Sequence, residues 1–179
     1  MDGVPVDIVV ESTILVMTVT PPMFLRPGAV TREMLEELIG EVAVDQTLLK
    51  ADSRTAPKAP GMKYRHYAPK ANLVVVEGEV EKVTAWIRET AATKQQEGKR
   101  VGIIATEETK ESYPDGDVKV AGTRADEATI ASSLYGILRE FDRDGVDEIY
   151  SEAFASGGIG AAVMNRLLKA AGHQVIRIT

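Results

Sequence analysis

The sequence predicts an α/β protein in which helices cover both faces of a mainly parallel sheet, and three observations carry that prediction. Apolar, β-branched runs recur along the second half of the chain, at residues 73–76, 101–105, 118–120, 146–154 and 175–178. Between most of them stand longer stretches with apolar residues three and four positions apart, the spacing of an amphipathic helix. Glycines sit at the junctions, among them Gly145, Gly158 and Gly172. Strands that alternate with helices in this way close through crossover connections, which makes the strands parallel and puts helices on both faces of the sheet.

The elements follow in order. Residues 7–17 are rich in β-branched side chains and read as a strand that carries Ser12 and Thr13; a Pro21-Pro22 turn and a second short strand at 23–25 lead into Arg26-Pro27-Gly28. A helix then starts. Thr31 is its N-cap, Glu33 lies in the first turn where the helix dipole favours an anion, and Gly40 closes it; Met34, Leu35, Leu38 and Ile39 form one apolar stripe. Two strands and a helix cannot bury their own faces, so residues 1–40 read as the end of a domain that begins elsewhere. Unpaired strands there would also favour self-association through residues 1–40. Residues 41–71 carry Pro57, Pro60 and Pro69 with no sustained period and read as an extended linker.

Residues 72–179 form the Rossmann-like three-layer unit. After the strand at 73–76 comes a helix at 79–93 with Val80, Val83 and Ile87 inward, then the strands at 101–105 and 118–120. Thr123-Arg124-Ala125-Asp126 resembles a capping box that opens a helix whose Ile130, Leu134, Ile137, Leu138 and Phe141 share one face. Gly145 marks its exit. The strand at 146–154, a turn at "ASGGIG", a helix at 159–171 ended by Gly172 and the strand at 175–178 complete the unit. No internal repeat interrupts it.

Composition narrows the function. The chain has 179 residues, 44% hydrophobic and 27% charged, with a net charge of −6 and no long basic run, so it is globular and lacks the clustered cations that duplex nucleic acid requires. It has no cysteine and two histidines, which removes disulfide and thiol chemistry, leaves few zinc ligands, and points to a reducing cytoplasm. Its apolar runs are too short to span a membrane, and the amino terminus has no signal pattern.

Candidate sites are few. "SGGIG" stands between a strand and a helix, where backbone amides cradle anions, but the third glycine position of a dinucleotide fingerprint is Val163 and no P-loop lysine follows, so a plain turn is the better reading. Asp142, Asp144, Asp147 and Glu148 read as a solvated acidic face, not a metal site. Arg26, fixed beside Pro27 at a strand end, has a planar fork suited to phosphate and equally to a surface ion pair. Ser12 and Thr13 offer hydroxyls to a ligand or to neighbouring backbone. Tyr64, His66 and Tyr67, interleaved with Lys63 and Arg65 on a proline-braced segment, suit either a lid over a nucleotide or a tether for the linker. No catalytic triad or carboxylate pair can be argued from spacing.

The stretch "APGMKYRHYAP" resembles the linker signature of the long, two-domain threonylcarbamoyl-AMP synthases. Upstream, "ESTIL" and "LRPGAVTREMLEELIG" resemble the closing part of that family's YrdC-like catalytic domain; downstream, "LREFDRDGVDEIYSEAF" and "GIGAAVMNRLLKAAG" resemble its C-terminal domain. The resemblance implies residues 1–40 as a YrdC-like remnant, 41–71 as linker and lid, and 72–179 as the accessory domain. It implies part of an enzyme that makes threonylcarbamoyl-AMP and pyrophosphate from threonine, bicarbonate and ATP, with Mg²⁺, for tRNA threonylcarbamoyladenosine modification alongside other proteins of that pathway. Ser12 would then contact threonine, Arg26 the ATP phosphates and Tyr64 the nucleotide, with Lys63, Arg65, His66 and Tyr67 fastening the lid.

Departures from the family pattern accompany the matches. The family's catalytic domain begins far upstream of the first residue here, so the chain alone is expected to be inactive. The pattern reads Gly-Gly-Pro where this sequence has Gly3-Val4-Pro5, and often has Gly at Val9 and Asp at Val16. The reading from a different class is a non-catalytic regulatory module that binds a nucleotide or a protein at the carboxyl ends of its strands.

Overall fold

Strands β4 (Asn72–Glu77), β5 (Val101–Ala105), β6 (Asp117–Val120), β7 (Glu148–Glu152) and β8 (Val175–Arg177) make one sheet in the order β6-β5-β7-β4-β8. Every pair in it is parallel. The computed structural model describes residues 12–45, 48, 68–155 and 157–179. Helix α2 (Val80–Gln96) covers one face of the sheet, and α3 (Glu127–Asp144) and α4 (Gly158–Ala170) cover the other. The predicted three-layer α/β architecture with a parallel sheet is therefore present, with β7 and not β4 beside β5.

Two apolar clusters explain why the layers hold. Along β4, Leu73 and Val75 point into the cluster built with α3 and α4, while Val74 and Val76 point into the one built with α2. This is the two-residue alternation of a pleated strand with both faces covered. Ile130, Leu134, Ile137, Leu138 and Phe141 are all buried on α3, as their spacing predicts. Gly145 ends α3 in the left-handed region at φ 65, where a glycine carries no Cβ penalty.

Several local expectations are corrected. Asp126, not Thr123, caps α3: its carboxylate accepts from the Ala128 amide at 3.1 Å, while the Thr123 hydroxyl donates to Glu108. Val80 is 38% exposed rather than inward, and Ala91 takes the third core position after Val83 and Ile87. Val80 opens α2 just beyond the carboxyl end of β4, so the buried residues of the sheet lie under the later turns.

The amino-terminal part forms a separate three-stranded sheet, β1 (Ile14–Val16), β2 (Met23–Arg26) and β3 (Ala43–Val44), with helix α1 (Arg32–Ile39) between β2 and β3. β1 is antiparallel to β2, and β3 is parallel to it. Ser12 and Thr13 precede β1 instead of lying inside a strand, and β3 occupies residues read from the sequence as linker. Thr31 caps α1 by accepting from the Met34 amide at 3.3 Å, as predicted. The predicted apolar stripe of α1 is present but uncovered: Met34, Leu38 and Ile39 are exposed. Among the described residues no helix is long and apolar enough to cross a membrane.

Candidate functional site

The β1–β2 hairpin brings two of the predicted site residues together. Ile14 pairs with Arg26, and the register shifts between Ile14 and Leu15, which leaves Ser12 and Thr13 beside the end of β2. Arg26 Nε donates to the Ser12 carbonyl at 2.8 Å, so one edge of the guanidinium is fixed by the backbone of the other candidate. Thr13 acts on the same loop from its other end. Its hydroxyl donates to the Val30 carbonyl at 2.6 Å, spanning buried Pro27 and Gly28. The two bonds hold the turn between β2 and α1 as a small frame in which Arg26 has a set direction. The Thr13 hydroxyl is thus engaged with backbone.

Tyr64, Lys63, Arg65, His66 and Tyr67 lie outside the described residues, as do Val4 and Val9. Val16 lies in β1, half-buried. A cavity of about 350 Å³ opens between β2, the start of α1 and α4, with Phe24, Val44, Met164 and Leu168 in its wall. Neither Ser12 nor Arg26 lines it. Its one arginine, Arg32, is engaged with Glu36 at 2.6 Å, and the lining is mostly apolar.

The carboxyl end of the five-stranded sheet is where an open α/β fold offers a ligand crevice, at the point where neighbouring connections leave in opposite directions. Here that point falls between β5 and β7, since β5 connects outward to β6 and β7 the other way to β8. The protein fills the place with its own groups. Glu152, fully buried at the end of β7, pairs with Arg124 and accepts from the Tyr113 hydroxyl at 2.7 Å. Arg124 also donates to the Ala153 carbonyl at 3.2 Å. Burial, with the Glu152 charge second, pushes the Tyr113 hydroxyl well above the usual tyrosine range, which keeps it a donor. Glu108 is held down to about 2, first by the Thr123 hydroxyl that donates to it. The Gly160 amide at the start of α4, the best anion cradle in the sequence, donates to Glu127 at 2.7 Å.

The acidic residues near the exit of α3 are structural. Asp144 pairs with Lys119 at 2.7 Å, Asp147 accepts from the Arg100 amide at 2.8 Å, and Asp142 pairs with Arg139 at 3.0 Å. Among the described residues no group of three His, Asp or Glu side chains is placed to hold a metal ion. Those residues thus offer no preformed cage for a divalent cation.

Residues 30–172 match the family profile described as threonylcarbamoyl-AMP synthase, C-terminal domain. The chain is 46% identical over 177 residues to the threonylcarbamoyl-AMP synthase of Bacillus subtilis, covering 99% of this chain and 49% of that one. Against the Pyrococcus abyssi synthase the identity is 44% over 178 residues, covering 99% and 50%. Two solved structures of Pyrococcus abyssi Sua5 superpose on it. A doubly substituted variant does so with a TM-score of 0.85 at 43% identity, covering 96% of this chain and 48% of that one. The protein complexed with L-threonine gives 0.83 at 42% identity, covering 95% and 48%. The chain thus spans about half the length of the curated relatives it matches.

Proposed function

The chain belongs to the threonylcarbamoyl-AMP synthase C-terminal domain family, and from that premise we propose that it is the lid-bearing and accessory part of a synthase that makes threonylcarbamoyl-AMP and pyrophosphate from threonine, bicarbonate and ATP. Residues 1–40 are then the end of a YrdC-like catalytic domain, 41–71 the linker, and 72–179 the accessory domain, working in the cytoplasm with other proteins of tRNA threonylcarbamoyladenosine modification. By itself the chain is inactive, because its relatives are about twice as long.

The observation that carries this reading is the bond from Arg26 Nε to the Ser12 carbonyl. In the reaction, an oxygen of the threonine carbamate attacks the α-phosphorus of ATP, a new P–O bond forms, and the bond to the β-phosphate breaks to release pyrophosphate. Negative charge grows on the phosphate oxygens during that exchange, and a preorganised guanidinium offsets it without reorganising. Ser12 beside Arg26 would hold threonine next to the phosphates, which is the positioning that makes two substrates react as one. The mixed anhydride product hydrolyses readily, so a segment carrying Tyr64, with Lys63, Arg65, His66 and Tyr67 fastening it, serves to exclude water. Mg²⁺ would arrive with the ATP phosphates. Occupation of the sheet crevice by Glu152, Arg124 and Glu127 weighs against the nucleotide-binding module as a separate reading.

The test is ATP-dependent pyrophosphate release with threonine and bicarbonate. It compares this chain alone with a fusion in which it is completed by the residues of the Bacillus subtilis relative that it does not cover. Turnover by the fusion alone supports the proposal, with Arg26→Ala lowering it about 100-fold, the scale for losing one preorganised charge donor. A fusion that folds and binds ATP yet releases no pyrophosphate overturns it, as does full activity in Arg26→Ala.

A further inference from the structure

The turn that follows Arg26 is held by a side chain rather than by packing. Across the β1–β2 pair, Ile14 faces Arg26 and Leu15 faces Phe24, so Leu25 stands as the extra residue of a bulge in β2. A bulge bends its strand and re-aims the side chain that follows, here Arg26. The chain then runs from the end of β2 to Thr31, the N-cap of α1. Pro27, Gly28 and Thr31 are buried, but Ala29 is exposed and Val30 is 46% exposed, so burial does little for the stretch between them. The Thr13 hydroxyl holds it instead, donating to the Val30 carbonyl at 2.6 Å from 17 positions away. Its neighbour Ser12 accepts from Arg26 Nε through its carbonyl. Two adjacent residues ahead of β1 therefore grip this turn at both ends, Ser12 at the guanidinium and Thr13 at Val30.

We propose that Thr13 is a positioning residue for the synthesis reaction, acting on the phosphates through Arg26. This rests on the reading of Arg26 as the phosphate contact. Without the Thr13 donor, the Val30 carbonyl turns to water and residues 27–30 gain freedom. Pro27 follows Arg26 directly, so motion of the turn reaches the strand end that aims the guanidinium. A guanidinium that must reorient as charge develops loses the advantage of preorganisation. Misplacement by about 1 Å costs about 100-fold in rate at a well-ordered site. The O–H of residue 13 is the part that matters, since valine has nearly the shape of threonine without the donor and serine keeps the donor.

The experiment uses the same fusion, with Thr13→Val, Thr13→Ser, Arg26→Ala and the double variant Thr13→Val with Arg26→Ala. Thr13→Val is expected to lower kcat about ten-fold, against about 100-fold for Arg26→Ala. KM for threonine stays unchanged, and Thr13→Ser recovers most of the loss. In the Arg26→Ala background Thr13→Val costs nothing further, because no guanidinium is left to position. Thr13→Ala, which also lacks the donor, carries the same cycle if Thr13→Val does not fold. Losses that multiply in the double variant overturn the proposal, since they make Thr13 independent of Arg26. Wild-type kcat in Thr13→Val, while Arg26→Ala is impaired, also overturns it and leaves the reading of Arg26 standing. A raised KM for threonine with kcat unchanged overturns it as well, because Thr13 then acts on the side of Ser12. Wild-type kinetics in Arg26→Ala removes the reading beneath it.

Discussion

The Gly160 amide donates to the carboxylate of Glu127 at 2.7 Å, so the first residue of α3 supplies the anion at the amino terminus of α4. Helix α4 needs it. Its N-cap is Gly157 with no side-chain bond, and its first turn contains no acidic residue. A borrowed carboxylate satisfies one of the orphan amides and meets the positive end of the dipole. Glu127→Ala is expected to destabilise the chain by about 1–2 kcal/mol, and Glu127→Gln by roughly half that, read by urea unfolding. Stability equal to wild type in Glu127→Ala would leave the contact without energetic weight.

Gly160 itself is the tighter constraint. A Cβ there runs into the Ala155 carbonyl and into the Glu127 carboxylate. The side chain of Glu127 can move aside, but the backbone carbonyl cannot do so without shifting the turn. Gly160→Ala is expected to cost about 1–3 kcal/mol. Combined with Glu127→Ala it should cost less than the sum, because both changes break one contact. Strict additivity in that double-mutant cycle would separate the two residues.

The buried pair in the sheet crevice predicts an asymmetry. Arg124→Leu leaves the Glu152 carboxylate, with a 1% exposed side chain, facing only the Tyr113 hydroxyl, and is expected to destabilise by about 3 kcal/mol or more. Arg124→Leu with Glu152→Leu should be milder than Arg124→Leu alone, since no unpaired charge remains buried. Urea unfolding of the three proteins decides it; a double variant worse than the single one would show that packing, not charge, controls the site.

How far this was legible in the sequence depends on what carries each feature. The strands and helices of residues 72–179 are legible because strands covered on both faces become apolar runs, and α3 repeats its buried positions from Ile130 to Phe141, about three turns. β3, two residues long, has no room for a period, so it was hidden in the linker. The N-cap of α3 is ambiguous in the sequence because Thr123 and Asp126 are both good caps, and the tertiary bond from Thr123 to Glu108 decides between them. At the site, Arg26 and Ser12 were singled out from their surroundings, but their bond depends on the register shift after Ile14, which no local pattern reports. The Glu127–Gly160 contact left one sequence signal, the missing capping residue and acid at residues 157–160. The Arg139–Asp142 pair left none, since such pairs recur on exposed helix faces.

Gly102 offers a test of the core between β5 and α3. A Cβ at this position would stand 2.5 Å from the ring of Phe141, which is fully buried. The ring has no free space to yield into, because Leu138, Ile149 and Ile104 are fully buried in the same cluster. Gly102→Ala is therefore expected to destabilise by about 1–3 kcal/mol despite the better strand propensity of alanine. Gly102→Ala with Phe141→Leu should recover part of the loss. No recovery would place the strain in the strand backbone instead.

Glu108 gives the chain a specific acid sensitivity. The Thr123 hydroxyl and the Arg124 amide donate to its carboxylate, which is held down to about 2 from 4.5. A carboxyl whose folded value lies below its unfolded value favours folding above the unfolded value, and that contribution drains away as pH falls from about 4.5 toward 2. Glu108 is exposed, so solvent screening limits the contribution to about 1 kcal/mol. Other carboxylates also protonate in this range, which makes the comparison between variants the useful reading. Unfolding free energies at several values between pH 5.5 and 2.5 should fall less steeply in Glu108→Gln than in wild type. Thr123→Val, which removes the leading donor, should flatten the profile in the same direction while leaving the carboxylate in place. Parallel profiles for all three proteins would mean that Glu108 titrates alike in the folded and unfolded chain.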